Sequence, residues 1–330
     1  IYSLAISQYA ALILLLLLVF YKVKQLNIFL RSQFRHIQYR YVKAFLLFAL
    51  PFFLPYFVGQ CNLLVEKWLA GLLGEGIISS LDYARQFTVV LQGVFGSILS
   101  TVMIPMLTQN YAKNDNGGFN KVLGEHLVVC FTILALAVPL LYGAAQPLCE
   151  FFFLRGNVSS ETLQVIVVLT RMYAVAFVGI ILYLLFGNAL LASNKGKLYA
   201  LCGVLAQILV IAINILFIHY YGIYIFPISF FLNKSIISVG VSHLISAIIM
   251  SRFLKNGNLK VFYLKILKYS SIITLLTIGL FVFNRTVHVS SIPLFQFVAS
   301  GVLLIPLFII VAKGLDLDIK KYIVQISHKS

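Results

Sequence analysis

The chain has 330 residues, of which 61% are apolar or aromatic (AVILMFWYC) and only 10% charged, with a formal net charge of +16. A soluble domain carries about 45–50% apolar and about 25% charged residues, so this composition excludes a water-soluble globular surface. A balance this basic would fit nucleic acid, but the placement of the charges assigns them to loops beside a membrane instead.

The apolar residues come in runs such as "YAALILLLLLVFY", "LVVCFTILALAVPLLYG" and "SIITLLTIGLFVF", none with a formal charge. About 20 such residues cross the hydrocarbon core as a helix. A helix satisfies its backbone polar groups within its own segment, as lipid requires. In chain order, the first predicted span covers 2–21. It opens on Ile1, without a basic leader or small-residue cleavage site, so the sequence is expected to start partway through a longer protein.

A basic linker over 22–44 follows. Leu26, Leu30, Phe34, Ile37 and Tyr41 recur there at helical spacing, with Arg31, Arg35 and Gln38 between them. This predicts an amphipathic helix on an anionic leaflet; a basic loop without fixed structure is the alternative.

Six spans come next, near 45–72, 81–107, 125–153, 163–191, 197–219 and 225–250. Two more, near 268–284 and 292–312, complete an all-α integral membrane protein of about nine transmembrane helices. The domain division is 1–21, 22–44, 45–255 and 256–330. "AKNDNGGFN" reads as a flexible polar turn, and Gly93, Gly96, Ser97 and Ser100 as a small-residue packing face.

Alternate loops hold nineteen of the Lys and Arg residues, against two, Arg155 and Arg285, in the opposite loops. By the positive-inside rule the nineteen, and the C-terminus with them, are cytoplasmic. Cys61, Cys130, Cys149 and Cys202 show no CxxC spacing and read as buried thiols, so no metal site is expected.

Four cations fall within spans: Lys67, Arg85, Arg171 and Lys234. An ionisable group near the bilayer centre costs at least about 2.5–3.5 kcal/mol and usually faces a cavity or a partner. One reading has the four converging on a hydrated cavity suited to a phosphate or pyrophosphate. The other has them snorkelling to the head groups, with Asp82 and Arg85 forming an i,i+3 ion pair. Gln60, Asn62, Gln86, Gln92, Asn188, Gln207, Asn214 and Asn233 read as interhelical hydrogen-bonding groups. Isolated His219 and His288 and short outer loops, with Glu75 and Glu161 their main acids, give no catalytic constellation, so an enzyme is not expected.

Residues 65–110 carry a resemblance. "VEKWLAGLLGEGIISSLDYARQFTVVLQGVFGSILSTVMIPMLTQNYAKND" resembles the MurJ/MviN-like lipid II flippases of the MOP exporter superfamily, whose pattern runs acidic–basic pair, LASLLGEG, YA-x-R, GVFG and STV-x-x-P. "FFLRGNVSSETLQ" and "YLLFGNALLASNKGKLYA" extend it. The resemblance implies a fourteen-span protein of two six-helix lobes and two final helices. The first lobe would largely precede Ile1, making the missing N-terminal lobe a partner of this chain.

It also implies a flippase for an undecaprenyl-pyrophosphate-linked peptidoglycan precursor in the bacterial inner membrane, working by alternating access. Export of lipid-linked O-antigen or capsule units, and cation-coupled drug antiport, are the alternatives within the superfamily. On this resemblance Lys67, Arg85, Arg171 and Lys234 are candidate head-group ligands, and Glu66 with Asn214 candidate ion-coupling residues. No cofactor is implied beyond a cation gradient or membrane potential; the partners are the lipid-linked glycan and the bilayer. The family's arginine stands one place early here, in Tyr83-Ala84-Arg85-Gln86, which turns it by about 100°. Its Asp-Arg pair appears as Glu66-Lys67.

Overall fold

The computed structural model describes residues 2–25, 38–154, 158–221, 228–254, 259–287 and 289–314. Every regular element among them is helical, as apolar runs without water require. The helices are α1 (Tyr2–Gln25), α2 (Tyr39–Leu73), α3 (Ile77–Ile98), α4 (Ile104–Ala112), α5 (Asn116–Gly143), α6 (Ala145–Phe153), α7 (Ser160–Ala192), α8 (Gly196–Tyr221), α9 (Ile228–Phe253), α10 (Leu259–Thr286) and α11 (Pro293–Gly314). Seven stretches among the described residues are long and apolar enough to cross a membrane, the first being Ile77–Ala112. The expected spans 2–21 and 45–72 fall on α1 and α2. The chain is an all-α, multi-pass membrane protein. It divides into two compact units, Ile1–Leu50 and Pro51–Ser330. The expected amphipathic positions Leu26, Leu30, Phe34 and Ile37 lie outside the described residues, whereas Tyr41 belongs to α2.

Two predicted spans and one predicted turn differ from expectation, each with a local cause. The span near 81–107 is not one regular helix: a π turn, Leu99–Met103, links α3 to α4, and the Ile104 N–H reaches back to the Leu99 carbonyl, five residues away. Pro105 follows directly. It has no N–H for the Thr101 carbonyl and its ring crowds that oxygen, so the ladder widens by one residue. The span near 125–153 is also two helices, parted at Ala144 (φ −102°, ψ 21°). Pro147 lies three residues on and offers no donor to the Gly143 carbonyl. The turn "AKNDNGGFN" is well defined: Asn114 is left-handed (φ 55°), and Asp115 caps α5 by accepting from the Gly118 N–H at 2.8 Å. Asx side chains suit both tasks.

Helix α7 lies at the centre of the second unit, packed against α3, α4, α5, α6, α8 and α9. Its N-cap is Ser159, which accepts from the Thr162 N–H at 3.2 Å. One buried cluster joins Phe177, Ile181 and Leu185 of α7 to Phe131 and Leu134 of α5 and Phe95 of α3. A second joins Ile166, Val167 and Tyr173 of α7 to Leu69 of α2, Leu81 and Ala84 of α3 and Cys149 of α6. Among the described residues, a Cβ on Gly93 or Gly96 of the expected small-residue face would meet nothing within 4 Å. Close approach occurs instead where α7 crosses α9, at Gly179 and Gly240.

Candidate functional site

The second cluster surrounds a group of charges. On α2, Glu66 and Lys67 are adjacent, and consecutive helical residues point about 100° apart. Glu66 accordingly turns inward, 3% exposed, while the Lys67 side chain is 40% exposed. On α3, Asp82 and Arg85 stand three apart and share a face. Each pairs across the helices: Lys67 Nζ donates to Asp82 Oδ2 at 2.8 Å, and Arg85 donates to Glu66 Oε2 at 3.3 Å. The expected Asp82–Arg85 pair within α3 is therefore replaced by two interhelical pairs. Tyr173 of α7 completes the inner one. Its hydroxyl donates to Glu66 Oε1 at 3.4 Å, and its ring lies 6.0 Å from the Arg85 guanidinium carbon. A buried carboxylate needs such donors. The Arg85 side chain is still 25% exposed, and its guanidinium has donors beyond the one given to Glu66. Tyr173 was not legible as a site residue, since one more aromatic in an apolar helix carries no signal.

One turn before Glu66, Asn62 starts a polar seam. Its amide donates to Gln207 Oε1 of α8 at 3.2 Å. Gln207 Nε2 lies 3.3 Å from His243 Nε2 of α9, and His243 Nδ1 lies 2.7 Å from the Val239 carbonyl. A carbonyl only accepts, so the ring proton sits on Nδ1, and Nε2 accepts from Gln207. His243 is a member that sequence reasoning missed. The Asn62 Oδ1 atom is buried without a donor among the described residues. Asn214 donates to Ser235 of α9 at 3.0 Å. Among the described residues no hydrogen bond joins Asn214 to Glu66, whose partners are Arg85 and Tyr173. The two candidate ion-coupling residues, Glu66 and Asn214, thus have separate hydrogen-bond partners here.

Among the described residues, Arg171 lies apart from Lys67 and Arg85. Arg171 stands two residues before Tyr173, about 200° round α7, and faces α5 and α10. Its Nε donates to the Tyr142 carbonyl at 3.3 Å, and its guanidinium lies 5.2 Å from the Phe281 ring centre. The cavity there, about 390 Å3, is lined by Gln146, Gln164, Asn284 and Arg285 as well, but not by Lys67, Arg85 or Lys234. Lys234 lies half-buried on α9. Arg285, expected in a loop, is in the last turn of α10; its i,i+4 spacing from Phe281 is the signal that places it there. Arg155 and His288, and the side chains of His219 and Asn233, lie outside the described residues. Among the described residues no group of three or more His, Cys, Asp or Glu is placed to hold a metal.

A central helix ringed by spans, with paired charges in its apolar interior, defines a polytopic membrane protein with a buried ionic cluster. Residues 1–298 match the family model "Lipid II flippase MurJ", and the chain belongs to that family. It is 27% identical over 125 residues to the lipid II flippase MurJ of Burkholderia cenocepacia, covering 38% of this chain and 24% of that protein. It is 23% identical over 168 residues to the probable lipid II flippase MurJ of Vibrio cholerae, covering 50% and 31%. A solved structure, "Lipid II flippase MurJ, inward closed conformation", superposes with a TM-score of 0.64 at 19% identity, over 86% of this chain and 57% of that one. That likeness concerns the fold. The matched stretches thus span less than two thirds of each relative.

Proposed function

We propose that the chain forms the last helix of the first lobe (1–21), a basic cytoplasmic linker (22–44), the six-helix second lobe (45–255) and the final two helices (256–330) of a flippase. Its cargo is an undecaprenyl-pyrophosphate-linked peptidoglycan precursor, lipid II, moved from the inner to the outer leaflet of the bacterial inner membrane. The observation that carries this reading is the family match over residues 1–298. The C-terminus lies in the cytoplasm, on the side of the nineteen basic loop residues.

The ionic cluster supplies a physical route. The Lys67–Asp82 pair is half-exposed, and exposed pairs hold by about 0–1 kcal/mol. A pyrophosphate offers Lys67 a stronger partner than one carboxylate, so an arriving head group displaces Asp82. Arg85 keeps Glu66 and turns its remaining N–H groups to the phosphate. On departure Asp82 retakes Lys67 and closes the site against ions. The prenyl tail stays in lipid throughout, and a cation gradient or the membrane potential sets the direction of exchange.

The test is rescue of a depletion strain by the full-length protein, read as export of the lipid-linked precursor. Lys67→Ala and Arg85→Ala each lower export and the double variant abolishes it. Normal export by the double variant at wild-type protein level would sink the reading.

A further inference from the structure

The cavity at Arg171 shares a wall residue, Phe281, with a second one. An apolar groove of about 450 Å3 runs between α5, α7 and α10, lined among others by Val138, Val175, Val178, Ile273 and Ile278. The two hollows meet at Phe281, which lines both. The polar end contains two guanidiniums against one ring: Arg171 at 5.2 Å and Arg285 at 5.8 Å from the Phe281 centre. Neither forms an ion pair with a carboxylate among the described residues. Two like charges sharing a hollow repel, and an anion between them relieves this. Gln146, Gln164 and Asn284 add polar groups to the same wall. The groove opens sideways, since Val175 is 47% and Ile278 56% exposed.

We propose that these two hollows form one binding site for an anionic phospholipid, with its phosphodiester between Arg171 and Arg285 and one acyl chain in the groove past Phe281. The polar end lies beside the last turn of α10, at the end of the bundle opposite the basic loops, which is head-group depth. The groove occupies the face of α7 turned away from Glu66 and Arg85. Lipid therefore enters laterally from the bilayer, where phospholipid is the bulk component, and the site is separate from the ionic cluster. The proposal stands independently of the flippase reading.

The test uses the full chain, delipidated in mild detergent, with lipid binding counted by native mass spectrometry. Phosphatidylglycerol binds about tenfold more tightly than phosphatidylcholine, whose own trimethylammonium offsets its phosphodiester and is repelled by the two guanidiniums. R171Q/R285Q removes that preference, and Val178→Trp, which fills the groove and leaves the charges, weakens both lipids. Undecaprenyl pyrophosphate binding is unchanged by R171Q/R285Q. Wild-type phosphatidylglycerol affinity in R171Q/R285Q overturns the proposal. So does a loss in that variant confined to undecaprenyl pyrophosphate, which would assign the site to the prenyl lipid. If R171Q/R285Q does not fold, Val178→Trp decides: unchanged phosphatidylglycerol affinity there rejects the site.

Discussion

Gly179 of α7 and Gly240 of α9 cross so closely that a Cβ built on Gly179 would lie 2.1 Å from the Gly240 carbonyl oxygen. One on Gly240 would lie 2.5 Å from the Ala176 Cα. Backbone meets backbone there, and no flexible side chain is available to give way. In lipid, helices associate through such close packing, because the hydrophobic effect does not distinguish a neighbouring helix from an acyl chain.

Gly179→Ala and Gly240→Ala therefore each force the two helices apart, at a cost of about 1–3 kcal/mol. Thermal unfolding in mild detergent reads this as a lowered midpoint. Gly279→Ala is the control. A Cβ there meets nothing within 4 Å, and helix propensity favours alanine by about 0.5–1 kcal/mol. A midpoint for Gly179→Ala at or above that of Gly279→Ala contradicts the crossing.

The two ion pairs differ in depth, and their removal differs accordingly. Glu66→Ala leaves Arg85 without its carboxylate in the interior, a change that costs about 3–5 kcal/mol for buried pairs. Asp82→Ala breaks the half-exposed pair, which at exposed sites is worth about 0–1 kcal/mol. Tyr173→Phe falls between, at about 1 kcal/mol for one hydrogen bond. The order Glu66, Tyr173, Asp82 in unfolding midpoints is the expected result; equal losses at Glu66 and Asp82 contradict the assigned burial.

How much of this was legible depends on which property decided it. Spans were readable because apolar length alone specifies a crossing. The breaks at Ala144 and at the π turn are not marked by the hydrophobic runs, which continue through both, but by Pro147 and Pro105, prolines expected to kink or end helices; Pro139, which carries the same signal, lies inside α5. Charge partners were less legible still. Spacing put Asp82 and Arg85 on one face, yet the choice between each other and α2 depends on how α2 is rotated. Helix α7 is apolar all round, and a helix without a polar stripe gives no sign of which face meets which neighbour. Arg171 therefore seemed able to join Lys67 and Arg85, when two residues' rotation sets it on the other side.

The seam from Asn62 to His243 gives a further expectation. Asn62→Ala and Gln207→Ala remove the same hydrogen bond, so their effects do not add. A double-mutant cycle should return about 0.6 kcal/mol of coupling, and at most about 1.7, the range measured between membrane helices. Additive single effects would mean the 3.2 Å contact contributes nothing to stability.

The placement of Arg171 and Tyr173 on opposite flanks of one rod has a mechanical corollary. A roll of α7 about its axis that frees the Tyr173 hydroxyl from Glu66 also drags the Arg171 guanidinium across the Phe281 ring. Whatever is lodged beside Phe281 therefore resists or assists that roll, acting as a brake or a spring on the ionic cluster without touching it.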